Sequence, residues 1–97
     1  MNPITEIEMI DSRTSEIYIN LILKIKENGD LYFDGCDSGK RIKEIWDDFD
    51  YEYFTTIDKK YKDTILLLLI KEFFEDDFEF RDFLKKKEIP FKFENWV

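Results

Sequence analysis

The sequence predicts that residues 1–97 form a single domain of the α+β class. An N-terminal antiparallel meander and C-terminal strands are expected to form one mixed sheet of about five strands, with helices packed on one face. Apolar and polar residues alternate over residues 16–34, and apolar residues recur at helical spacing over residues 61–73. The chain has 97 residues, which is enough for one core, and 43% of them are hydrophobic, which is too many for a disordered segment.

The clearest strand pattern lies in residues 16–34. One face of the first strand is apolar and consists of Ile17, Ile19, Leu21, Leu23 and Ile25. Asn28 and Gly29 then mark a hairpin turn. A two-residue loop would turn Leu31 toward the lysine-bearing face. A three-residue loop over residues 27–29, with Gly29 left-handed, sets Leu31 opposite Ile25 and keeps one face apolar, so we predict this register.

Shorter patterns predict the elements on either side of this hairpin. Residues 4–10 alternate less regularly and precede a polar segment, residues 11–15, so we expect an edge strand antiparallel to residues 16–26. Residues 34–39, DGCDSG, indicate a loop, and the apolar spacing that follows predicts a short helix over about residues 38–46. Residues 51–57 alternate and are rich in residues that favour strands, which predicts a strand there.

Two helices and a final strand are expected in the rest of the chain. Asp58 is a suitable N-cap for a helix over residues 61–73, whose wide apolar stripe predicts burial against more than one neighbour. Asp76 and Glu79 resemble a capping box for a second helix over about residues 77–88, which Pro90 ends. Alternation in residues 91–97 predicts the last strand. If it pairs in parallel with residues 51–57, the crossover must be right-handed.

The charge of the chain limits its partners. Fifteen Lys and Arg against 23 Asp and Glu give a net charge of −8. This charge repels phosphate backbones and anionic membrane surfaces, so we expect neither a direct nucleic-acid partner nor a membrane partner. The same charge would accelerate encounter with a basic protein.

Cysteine usage and the N-terminus indicate a cytoplasmic location. Cys36 is the only cysteine, so no internal disulfide can form. The N-terminal residues carry acids where a signal peptide carries positive charge. The longest apolar run, residues 65–70, is far shorter than the ~20 residues that cross a bilayer.

The residue types argue against catalysis. The chain has no histidine, the usual general base near neutral pH, and Cys36 therefore lacks the partner that would activate it. Its carboxylates are abundant, but no pattern distinguishes an acid from a base among them. We expect no enzyme activity and no catalytic residue.

Two motifs resemble ligand-binding loops and fail on inspection. Residues 35–40, GCDSGK, have three residues between the glycines of a phosphate loop instead of four, and Arg41 replaces the Ser or Thr that would hold magnesium. Asp48, Asp50 and Glu52 have the spacing of a calcium loop, but Tyr53 stands where the turn needs glycine. We therefore expect no cofactor and no metal.

The segment 44–58 is the best candidate for a functional surface. It contains six acids and no base, interspersed with aromatic residues. We predict a partner-binding patch consisting of Trp46, Asp47, Asp48, Asp50, Tyr51, Glu52 and Tyr53. In the alternative interpretation, the acids occupy the solvent face of a strand, and Tyr51 and Tyr53 pack on the core from its other face.

Residues 34–57 and 79–97 resemble a family of short, acidic bacterial proteins. The family pattern runs from an Asp-x-Gly loop through Trp or Phe to Asp-x-Asp-Tyr-Glu-Tyr, a Leu-rich helix and an Ile-Pro-aromatic-x-Phe end. The matching positions are Asp37, Gly39, Trp46, Asp48, Asp50, Tyr51, Glu52, Tyr53, Pro90, Phe93 and Trp96. The resemblance covers about residues 33–97 and implies no activity, catalytic residue or ligand. The chain also resembles immunity and inhibitor proteins in size and acidity, which is an analogy only.

These observations predict a non-enzymatic domain that neutralises a basic protein, such as a toxin or nuclease, as an inhibitor or immunity protein. The main alternative is a structural or assembly module that forms a homo-oligomer through an apolar face. A further alternative is a phage-type inhibitor that mimics nucleic acid, with acids spaced along a ridge at intervals like those of phosphates. Monomer and homodimer both fit the sequence.

Overall fold

The computed structural model describes residues 2–46 and 50–96, and it describes Arg41 and Trp46 by their backbone. The described residues form an α+β structure with four strands, three α-helices and one 3-10 helix. Backbone contacts divide them into a sheet unit, residues 4–62, and a helical unit, residues 63–96 with residues 2–3. None of the described helices has the length and apolar character needed to cross a bilayer.

The sheet unit is a meander. Its strands are β1 (Glu6–Arg13), β2 (Tyr18–Ile25), β3 (Leu31–Ser38) and β4 (Asp50–Ile57), with α1 (Lys40–Trp46) between β3 and β4 and a 3-10 helix (Lys59–Tyr61) after β4. The strand order is β1-β2-β3-β4, and each neighbouring pair is antiparallel. Then follow α2 (Lys62–Phe73), which begins at the unit boundary, and α3 (Asp77–Lys86).

The β2–β3 hairpin has the predicted three-residue loop. Ile25 lies opposite Leu31, and Gly29 has a φ of 97°, a left-handed conformation that favours glycine. The backbone N–H of Lys26 donates to the carbonyl oxygen of Asp30 at 2.8 Å and closes the loop. The apolar residues of both strands therefore share one face, as the register prediction requires.

β1 is an edge strand with a bulge, and this explains its irregular pattern. The register shifts between Glu8 and Ile10, so Ile7 and Ile10 both lie on the face of the β2 leucines although they are three positions apart along the chain. The bulge also brings Glu8 and Asp11 together on the other face. The negative charge of Asp11 is the largest cause that raises the pKa of Glu8. The strand continues to Arg13, beyond the end predicted from the sequence.

The loop predicted at residues 34–39 is wrong, because β3 continues through Ser38. Glycine at position 35 is a consequence of packing and not of a turn. A Cβ atom at Gly35 would lie 2.2 Å from ring atoms of Tyr53, which covers this position from β4. The glycine thus makes room for an aromatic ring on the neighbouring strand.

The sheet has an apolar face and a polar face. Cross-strand pairing assigns the following large side chains to the apolar face: Ile7, Ile10, Ile19, Leu21, Leu23, Ile25, Leu31, Phe33, Tyr51, Tyr53 and Ile57. The helix α1, which follows β3 in the chain and precedes β4, contacts both strands. Its residue Ile42 is 3% exposed and forms the buried hydrophobic core among the described residues.

Polar contacts attach the 3-10 helix to the hairpin. Asp58 was predicted to cap the long apolar helix and instead caps the 3-10 helix that directly precedes α2, since its Oδ1 accepts from the N–H of Lys60 at 2.9 Å. Asp30 of the hairpin loop accepts from the N–H of Lys59 at 3.0 Å. This hydrogen bond is the largest cause that lowers the pKa of Asp30.

In the helical unit, hydrogen bonds cap both ends of α3. Asp76 accepts from the N–H of Glu79 at 2.9 Å, as the capping box predicts, but Glu79 accepts in return from Glu75, one residue before the expected position. At the other end the N–H of Ile89 donates to Leu84 and that of Glu88 to Lys85, the two bonds of a Schellman motif. Glu88 occupies the left-handed position with a φ of 57°.

Aromatic contacts hold the helical unit together. Phe74 lies 5.1 Å from Phe80 and 5.4 Å from Phe83 between ring centroids, which joins the residue after α2 to α3. The guanidinium of Arg81 lies 3.9 Å from the ring centroid of Phe93. These contacts leave much of α2 exposed.

The predicted C-terminal strand, and with it the five-stranded mixed sheet, is not confirmed. Residues 90–96 form neither helix nor strand, and the described sheet is antiparallel throughout. The segment still alternates, since Lys92 and Glu94 form an ion pair at 3.0 Å while Phe93 faces Arg81. Phe93 is nevertheless 52% exposed, and the segment has no neighbouring strand among the described residues.

Candidate partner-binding site

The predicted patch maps to the start of β4. Asp47, Asp48 and the side chain of Trp46 lie outside the described residues. Asp50, Tyr51, Glu52 and Tyr53 form the first half of the strand.

Strand alternation divides these four residues between the two faces. Tyr51 and Tyr53 lie on the apolar face, and we call them the tyrosine pair. Asp50 and Glu52 lie on the polar face, opposite Ser38 and Cys36 of β3. Asp50 and Glu52 therefore lie on the face of the sheet opposite to that of the two rings.

Carboxylates cluster at one end of the polar face. We call Asp34, Asp50 and Glu52 the acidic cluster; all three lie near the thiol of Cys36. The pKa of Cys36 is raised first by burial and then by the negative charges of Asp50 and Glu52, with smaller contributions from Asp37 and Asp34. Such a thiol is a poor nucleophile near neutral pH, so Cys36 is better suited to packing than to covalent chemistry.

The polar face changes sign along the strands. Toward the β2–β3 loop, the ammonium groups of Lys24 and Lys26 lie 5.5 Å and 4.7 Å from the ring centroid of Tyr32. Tyr32 in turn stacks on Phe54 of β4, with 6.1 Å between centroids. The acidic end is thus separated from the basic end by aromatic rings.

The tyrosine pair is held over β3. The rings of Tyr51 and Tyr53 stack with 5.6 Å between centroids, and Tyr53 donates its O–H to Oδ1 of Asp37 at 3.5 Å, a long hydrogen bond. Burial is the first cause that raises the pKa of Tyr53, followed by the charge of Asp37. Tyr53 is half-buried above Gly35, whereas Tyr51 is 37% exposed.

Asp34, Cys36 and Asp37 belong to this site and were missed because their segment was assigned to a loop. The sequence holds a partial signal for them. The register of the hairpin places residues 34–38 opposite residues 18–22 of the predicted strand, but no local pattern requires β3 to continue past Gly35.

The described acids do not form a metal centre. Within residues 2–46 and 50–96, no three Asp, Glu, Cys or His side chains converge in a way that could hold a metal ion. What the acidic cluster offers is a negative surface beside an open strand edge.

No protein-family model matches the chain, and neither a curated protein nor a solved structure matches it.

Proposed function

We propose that this chain is a non-enzymatic protein-binding domain that takes a basic protein partner at β4. The observation that carries the proposal is the acidic cluster, in which Asp50 and Glu52 of β4 stand beside Asp34 of β3 and act together on one thiol. Basic side chains of a partner would be attracted to these carboxylates, which would steer the encounter. A toxin or nuclease neutralised by an inhibitor or immunity protein is the most concrete form of this role.

A charge-matched pair of variants tests the proposal. Asp50→Asn with Glu52→Gln removes two charges from the acidic cluster, and Glu72→Gln with Glu75→Gln removes two from the helical unit. Each double variant has a net charge of −6, from −8 plus two. We expect the association rate with decalysine, measured by stopped-flow fluorescence, to fall several-fold more for the β4 variant. Equal losses in both variants would attribute the attraction to net charge alone and would contradict the proposal.

Inhibition then connects the surface to the proposed role. We expect the wild-type chain to inhibit at least one enzyme in a panel of basic bacterial nucleases when it is added in stoichiometric amounts. The β4 double variant should require more protein for the same inhibition, and the helical double variant should behave like the wild type.

A homo-oligomeric module is the second candidate, and the surface of α2 favours it. Four consecutive leucines, Leu66, Leu67, Leu68 and Leu69, are 55%, 68%, 62% and 49% exposed. A helix that is apolar on several sides normally needs more than one neighbour. Light scattering over a range of protein concentrations tests this function. A tight dimer whose mass does not change with salt would favour it over a basic partner.

A further inference from the structure

β4 is an edge strand with a regular backbone. In the part of the chain that the structure describes, β4 pairs with β3 on one side only. Its eight residues follow β3 without a register shift, and they include no proline, glycine or lysine. Every second residue of such a strand directs its N–H and C=O groups away from the sheet. These groups form a template on which another strand can pair.

The opposite edge of the sheet differs. β1 carries the bulge between Glu8 and Ile10, which interrupts the regular ladder. Bulges of this kind are a common protection of exposed edges. Among the described residues, the ladder is thus interrupted in β1 and uninterrupted along β4.

The edge of β4 is also where the two faces of the sheet meet. The acidic cluster lies on the polar face and the tyrosine pair on the apolar face, so a ligand that rests on one face contacts only one of them. A strand added along β4 places its own side chains alternately on both faces. One extended segment can therefore contact the carboxylates and the rings together.

We propose that β4 takes its partner by strand addition. An extended segment with alternating basic and apolar residues pairs antiparallel with the outer edge of β4, its basic side chains beside the acidic cluster and its apolar side chains beside the tyrosine pair. This inference rests on the proposed function and specifies its partner. The backbone ladder supplies affinity, and the two sets of side chains select the sequence.

The position of the basic residues follows from the change of sign along the polar face. Asp50 and Glu52 lie at one end of β4, whereas Phe54 and the ring of Tyr32 continue toward the lysines of β2 and the hairpin loop. The basic residues of the partner belong at the Asp50 end, and uncharged residues belong beyond Phe54. A segment of seven residues, about 23 Å long, covers this length.

A designed peptide tests strand addition on the full chain. The probe is the acetylated and amidated peptide TVTVKVK, whose lysines lie beside Asp50 and Glu52 when it pairs antiparallel with β4. One control, TTVVVKK, has the same composition without regular alternation. A second control is the probe with N-methyl groups on its fourth and fifth residues, whose amides can then no longer donate. Because successive amides of a strand point to opposite edges, this methylation interrupts the ladder whichever edge of the peptide meets β4.

The expected result has two parts. The probe slows hydrogen exchange at alternate backbone amides of β4, measured by NMR, and leaves the amides of β1 unchanged. Both control peptides bind about tenfold more weakly than the probe, because they lose either the edge hydrogen bonds or the correct placement of side chains.

Three outcomes would overturn strand addition. They are equal binding of either control peptide, protection at β1 instead of β4, and protection of β4 that grows with protein concentration in the absence of peptide, which would assign the edge to a second copy of the chain. The β4 double variant separates this failure from that of the proposed function. If one of these outcomes is found but the β4 double variant still binds decalysine more slowly than the helical double variant, only strand addition is wrong. The proposal of a basic protein partner is then retained.

Discussion

At the scale of single residues, the contact between Gly35 and Tyr53 decides how β3 and β4 fit together. A Cβ atom at position 35 would overlap the ring of Tyr53, so the ring must move in a Gly35→Ala variant. We expect this substitution to lower the free energy of unfolding by about 1–3 kcal/mol, the usual cost of overpacking. Urea unfolding followed by circular dichroism measures it.

A double-mutant cycle identifies the ring as the cause. In a Tyr53→Ala background the space above position 35 is free, and alanine is then preferred to glycine in a strand. We expect Gly35→Ala to be neutral or stabilising there. The same loss in both backgrounds would show that the glycine serves the backbone and not the ring.

The thiol of Cys36 reports on the acidic cluster. Burial and the nearby carboxylates raise its pKa, so its thiolate fraction at a given pH is small. Removing the charges of Asp50 and Glu52 by substitution to Asn and Gln lowers this pKa, and we expect faster alkylation by iodoacetamide. The Glu72→Gln and Glu75→Gln variant is the control and should react at the wild-type rate. No difference between the two variants would mean that burial alone protects the thiol.

At the scale of elements, the end of α3 has a residue that its conformation does not favour. Glu88 adopts a left-handed φ of 57° in the Schellman motif, where glycine is usual. We expect Glu88→Gly to raise the free energy of unfolding by about 0.5–1 kcal/mol, since glycine adopts this conformation without steric cost. Thermal and urea unfolding measure the change.

The neighbouring position provides the control for this prediction. Lys87 has a φ of −92°, which all residues adopt, so Lys87→Gly should lower stability through its greater loss of chain entropy. A gain of stability from both substitutions would contradict the explanation by backbone conformation.

The link between the hairpin and the 3-10 helix should weaken in acid. The hydrogen bond from Lys59 lowers the pKa of Asp30 below its usual 3.8, so the carboxylate stabilises the fold above that pH. This contribution is lost as the pH falls through the lower folded-state pKa. We expect urea unfolding between about pH 6 and about pH 2.5 to show a smaller dependence on pH in Asp30→Asn than in the wild type. An NMR titration of Asp30 with a pKa at or above 3.8 would contradict this explanation.

Local signals were sufficient for some elements and insufficient for others. The register of the β2–β3 hairpin followed from Gly29 and the apolar alternation beside it, because both lie within a few residues of the turn. The extent of β3 did not, because glycine at position 35 depends on Tyr53, which is far away in the chain. The alternation of residues 91–96 predicted a strand, but these residues form no strand in the structure, and Phe93 contacts Arg81 of α3 instead.

The candidate site was predictable in composition and not in arrangement. The alternation of residues 51–57 predicted a strand correctly, and this strand places Asp50 and Glu52 on one face and the tyrosine pair on the other. The addition of Asp34 to the acidic cluster required the pairing of β3 with β4, which no local pattern specifies.

At the scale of the whole molecule, electrostatic attraction should raise the rate at which a basic partner binds, and the net charge of −8 adds to the attraction of the acidic cluster. Between about 0.01 M and about 1 M salt, the Debye length falls from about 30 Å to about 3 Å. We expect the association rate of TVTVKVK to fall about tenfold over this range, with a smaller change in the dissociation rate. Stopped-flow fluorescence at several salt concentrations measures both rates. A constant association rate would mean that apolar contacts alone drive the encounter.

Met9, the additional residue at the β1 bulge, has a consequence for how many molecules can join. Deleting it would leave Ile7, Glu8 and Ile10 opposite their present partners in an uninterrupted ladder. The sheet would then have two edges with an uninterrupted ladder, and the β1 edge of one molecule could pair with the β4 edge of another. Head-to-tail contacts of this kind generate rings where the rotation between copies closes and open filaments where it does not. If β4 takes an added strand as proposed, this one methionine keeps the β1 edge from pairing in the same way with another copy.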